Sequence, residues 1–145
     1  HGVRLWRWDV HPGYRNALLI MLPMAYLWIP LALSLRGLAA LELLPATAAT
    51  HALTIGAMSS LMLAMMMRSA LGHTGRALVA GPVEIAAFAL LQLATISRVV
   101  ATHVDPVNYA SLVTLSGALW VLAFAVFLAR YWPMLMRPRI DGKAA

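Results

Sequence analysis

The sequence predicts an all-α membrane protein, a bundle of four transmembrane helices with both chain ends on the cytoplasmic side. Three observations carry this. Of the 145 residues, 62% are hydrophobic and only 11% are charged, whereas soluble domains run at roughly half and a quarter. The apolar residues gather into four runs, each close to the about 20 residues that a bilayer-spanning helix needs. The charged residues fall mainly in the connections. A soluble domain of this size has too much surface to leave so apolar, and a mean hydropathy of +0.79 places the excess against lipid.

The first run, residues 17–35, is uncharged, and Pro23 and Pro30 inside it predict kinks rather than breaks. The second, residues 46–67, is also uncharged. The third follows Gly81-Pro82 and covers residues 85–102, interrupted by Arg98. The fourth covers residues 107–129. Pro82 and Pro106 stand just ahead of spans three and four, where a proline breaks no helical hydrogen bond. Short connections predict an up-and-down bundle. Gly56 and Ser60 in span two, and Ser116-Gly117-Ala118 in span four, are small-residue edges suited to close helix approach.

Orientation follows from the basic residues. Arg4, Arg7, Arg15, Arg68, Arg76, Arg130, Arg137, Arg139 and Lys143 fall on one side, and Arg36 and Arg98 toward the other. An even number of spans then puts both ends in the cytoplasm. The same bias accounts for the net charge of +6 without a nucleic-acid partner. The absence of cysteine excludes disulfides and thiolate ligands, leaving His and Met as soft metal ligands. The chain opens at His1-Gly2 and shows no signal-peptide pattern, so it reads as part of a longer protein.

His51 is the most informative residue. It lies about one turn inside span two, where ionisable groups are functional candidates. At 100° per residue His51, Ile55, Met58, Met62 and Met65 share a face. Imidazole above a thioether stripe suits haem or copper. The plainer reading, favoured for the methionines, is that they fill volume; His51 itself is balanced between a ligand and a hydrogen-bonded core histidine. Arg98 comes to similar depth on the antiparallel span three, as a partner for an anion such as a haem propionate or as a snorkelling anchor. Leu71-Gly72-His73-Thr74-Gly75-Arg76 reads as a tight cytoplasmic loop offering His73 and Arg76, most simply a solvated turn. His11 and His103 read as interfacial, Glu84 as a first-turn carboxylate complementing the helix dipole, and Trp6, Trp8, Trp28, Tyr131 and Trp132 as an aromatic belt. There is no phosphate-binding glycine loop, nucleophile elbow or HExxH.

The run His51-Ala52-Leu53-Thr54-Ile55-Gly56-Ala57-Met58, then Arg68 and the Leu71–Arg76 segment, resembles the signature of the NnrS family. Trp120, Ala123-Phe124, Tyr131, Pro133 and Pro138-Arg139-Ile140-Asp141-Gly142 match its C-terminal pattern, and His11, Tyr14 and Arg98 fall where it has similar residues. The resemblance implies a bacterial inner-membrane protein containing haem and copper and associated with the response to nitric oxide and nitrosative stress. It nominates His51 and His73 as metal ligands and Arg98 as a cofactor contact, without dividing the metals between them. Family members are longer, so the chain is expected to be the C-terminal portion, whose partners are the bilayer, the missing N-terminal spans and nitric oxide. The alternative is a transporter or structural subunit without a metal.

Overall fold

A computed structural model of the chain describes Val3 and residues 16–140; His11, Tyr14, Trp6, Trp8 and Asp141 lie outside them. Among the described residues, four helices are long and apolar enough to cross a membrane: α1 (Ala17–Ala40), α2 (Ala46–His73), α3 (Pro82–Ala101) and α4 (Pro106–Leu135). The expected fold class and all four spans are therefore present. Each runs somewhat beyond its apolar core, because backbone hydrogen bonding continues through polar residues that hydropathy discounts.

Local chemistry sets the helix ends. The Asn16 side chain accepts the Leu18 N–H at 3.1 Å and starts α1. Pro23 and Pro30 lie inside α1 without ending it. Glu42 adopts the left-handed conformation (φ 60°) in the turn that follows. The Glu84 side chain reaches back to the Gly81 N–H at 2.8 Å ahead of Pro82. Asp105 accepts the Asn108 N–H at 3.0 Å to open α4.

The helices follow one another up and down but do not close into a ring. Packing is most extensive within two pairs, α1 with α2 and α3 with α4, and α1 and α4 do not meet. In their most apolar stretches α2 and α3 are each 39% buried, against 22% for α1 and 17% for α4. Span two is thus central, as its small-residue edge implied, but it shares that place with span three. The α3–α4 seam is fastened by small polar residues: Ser97 Oγ donates to the Leu112 carbonyl at 2.9 Å and Ser116 Oγ to the Ala94 carbonyl at 2.8 Å. Ser116 bears out the expected close edge, whereas Gly117 faces open space.

Asn16 and Ile140 lie at the same end of the bundle. The Asn16 amide donates to the Leu78 carbonyl, and the Ile140 N–H to the Thr74 carbonyl at 3.3 Å. The connection between α2 and α3 is shorter than expected, since Leu71, Gly72 and His73 still belong to α2 and the turn begins at Thr74. Gly75 (φ 72°) takes the left-handed conformation that this turn needs.

The unforeseen feature lies in α2. From Ala52 to Ser59 the backbone forms a π-helix, beginning directly after His51 and returning to α-helix at Ser60. The wider turn adds a residue to the local repeat and shifts the phase of everything beyond it.

Candidate functional site

The phase shift decides what His51 faces. Met58, Met62 and Met65 are about half exposed on the outer surface of α2, while His51 is only partly exposed. The shared face expected from 100° spacing therefore breaks up in the π segment, and the methionines look outward, away from the other described helices. His51 turns to α3 instead. There the Arg98 Nε donates to His51 Nε2 at 3.4 Å. The two residues expected at equal depth on antiparallel spans do form one polar site.

The imidazole also lines a cavity of about 340 Å³ with Thr47, Thr102 and Tyr109, at the lower end of the range for small-ligand pockets. Arg98 pairs with no carboxylate among the described residues. With Nε committed to His51, its terminal nitrogens remain available for an anion. Because Nε2 accepts this contact, it carries the lone pair and the ring proton belongs on Nδ1.

His73 is at the opposite end of α2, exposed, with no hydrogen-bond partner among the described residues. The fold therefore keeps His51 and His73 apart. Among the described residues there is no group of three or more His, Cys, Asp or Glu suited to a metal. His103 is exposed, its Nδ1 3.1 Å from the Val99 carbonyl, in keeping with an interfacial residue.

Two polar networks escaped the sequence reading. In the first, the Trp28 indole N–H donates to Gln92 Oε1 at 2.7 Å, and Gln92 Nε2 donates to Ser60 Oγ at 2.8 Å. This ties α1, α3 and α2 together in the span interior, so Trp28 is a bundle residue and no part of an interfacial belt. A lone glutamine in the middle of span three was the available signal, since an unpaired amide in lipid is costly. In the second, Glu84 Oε1 accepts from Tyr131 Oη at 3.1 Å and from Arg130 Nε at 3.4 Å. Glu84 is 2% exposed, so the carboxylate binds α4 as well as capping α3.

Four apolar spans and a histidine–arginine pair where α2 meets α3 define a multi-pass helical membrane protein with a polar site between its two central helices. The chain belongs to the NnrS family, membrane proteins associated with the nitric oxide response: the family model, described as NnrS protein, matches residues 1–139. No curated protein and no solved structure matches it.

Proposed function

We propose that this chain is the C-terminal part of a bacterial inner-membrane protein that binds haem and copper in the response to nitric oxide and nitrosative stress. His51 is the candidate ligand beside Arg98, the partner of a haem propionate, and His73 is a second candidate metal ligand at the other end of α2, with no metal assigned to it. The observation that carries this reading is the Arg98–His51 contact within the spans. The donor chemistry fits. A neutral imidazole is the form that would bind a metal, here with its Nε2 lone pair engaged by Arg98, and a guanidinium fork matches a carboxylate. Ligation through Nε2 requires Arg98 to leave that nitrogen, which frees its Nε–H for the anion. Bound haem supplies an iron centre able to coordinate nitric oxide. This chain's residues hold the group and offset its charge, and further ligands come from the missing spans.

The test is the absorption spectrum of the purified full-length protein. The expected result is a Soret band that shifts on adding nitric oxide. His51→Ala should lose most of the haem. Arg98→Leu should weaken retention, and Arg98→Lys should restore it only in part, because lysine lacks the bidentate fork. Colourless, metal-free full-length protein would overturn the reading. It would favour a transporter or structural subunit, for which the helix-to-helix hydrogen bonds of His51, Gln92 and Glu84 already provide a purpose.

A further inference from the structure

A π-helix of eight residues is uncommon, and such segments recur at functional sites. This one is held at its middle and at its end. At the middle, Gly56 is buried against the Trp28 ring, so close that a Cβ there would stand 2.6 Å from Trp28 Cγ and Cδ2 and 3.0 Å from Thr95 Cγ2. At the end, Ser60, where the α-helix resumes, accepts the Gln92 amide N–H. Gln92 joins these two points, because its carbonyl oxygen also fixes the Trp28 indole. Within the segment, Ser59 Oγ donates to the Thr54 carbonyl five residues back, at 3.1 Å. His51 adjoins the other end. Relaxation to a regular α-helix would remove one residue from the local repeat and turn His51 by about 100° relative to the helix beyond Ser60.

We infer that Gln92 is a positioning residue: through Trp28 and Ser60 it holds the π turn of α2 and thereby presents His51 to Arg98. The inference rests on the reading of His51 and Arg98 as the site, but it concerns only what orients them. Gln92 touches neither residue. Its two hydrogen bonds set the helix phase, and the phase sets the imidazole.

These 145 residues contain no cysteine, so a pair introduced here is the only one in this region, and any cysteine elsewhere in the full-length protein is first replaced by serine. Thr47 and Ala101 line the cavity beside His51 from α2 and α3. In full-length protein in native membranes, Thr47→Cys with Ala101→Cys is treated with a short bismaleimide and the crosslinking rate measured. Adding Gln92→Leu should change that rate several-fold. Gln92→Glu should restore it, since a protonated carboxyl can accept from Trp28 and donate to Ser60. Should Gln92→Leu fail to accumulate, Ser60→Ala carries the same test, with a smaller change. A role confined to general stability would lower protein levels and leave the rate in the remaining folded protein unaltered. In haem-loaded protein, Gln92→Leu should also displace the Soret band while His51 is still present. An unchanged rate in both Gln92→Leu and Ser60→Ala overturns the inference. Crosslinking needs no haem, so a colourless protein whose rate still depends on Gln92 refutes the haem reading alone.

Discussion

At the residue scale, Glu84 shows how far a single side chain can exceed its apparent purpose. A carboxylate in the first turn of a helix is explained by the dipole, and nothing nearby in sequence asks for more. In the fold it also accepts the Tyr131 hydroxyl, 47 residues further on. Arg130 adds a contact with its side chain 47% exposed, so solvent screening makes its share small. Removing the carboxylate orphans the Gly81 N–H and the buried phenol together. Glu84→Ala should therefore destabilise the protein by about 1–3 kcal/mol, and Tyr131→Phe by about 1 kcal/mol. Both are measurable by denaturation of the purified protein in mild detergent. Wild-type stability in Glu84→Ala would show that the dipole contact was all that mattered.

At the scale of the element, helix ends were legible and helix interiors were not. Pro82 and Pro106 announce starts, and Asp105 caps its helix through side-chain chemistry alone. Asp105 lies outside the spans, where the Asn108 backbone N–H, followed by the Asn108 side chain, holds its carboxyl below the usual range. A depressed carboxylate stabilises the folded state above its unfolded pKa, and that contribution disappears as pH falls through the folded value. Amide exchange in the first turn of α4 should thus accelerate relative to mid-helix amides only on acidification below the ordinary aspartate range. Asp105→Ala should abolish this pH dependence. The π segment of α2 has no comparable signal. Its residues read as ordinary apolar helix, and the widened turn owes its place to Trp28 against Gly56, a contact between spans.

At the scale of the whole molecule, α1 and α4 occupy opposite flanks of a central α2–α3 pair and carry broad apolar faces, with Leu27 and Leu33 on α1 and Val121 and Leu128 on α4 among the exposed residues. In water such faces would aggregate; in a bilayer they meet lipid or further spans. Asn16 and Ile140 reach the same inter-helix connection, which fits an even number of crossings. The nine-to-two division of basic residues then predicts that reporter fusions at Arg15 and after Lys143 both register the cytoplasm, and one near Glu42 the periplasm. A periplasmic C-terminus would reverse the assignment.

Hydropathy and charge alone determined four spans, their approximate limits and the class of protein, because lipid obliges every spanning segment to be long, apolar and internally hydrogen-bonded. The His51–Arg98 pairing was also within reach of the sequence, since equal depth on antiparallel neighbours is simple arithmetic at 1.5 Å per residue. What faces what around each helix was decided only by tertiary structure. Helical phase follows a fixed 100° step until something outside the helix perturbs it, and here Trp28 and Gln92 from two other spans do so. That is why the methionines expected beside His51 look outward, and why Gln92, Tyr131 and the π turn had no meaning until the helices were packed together.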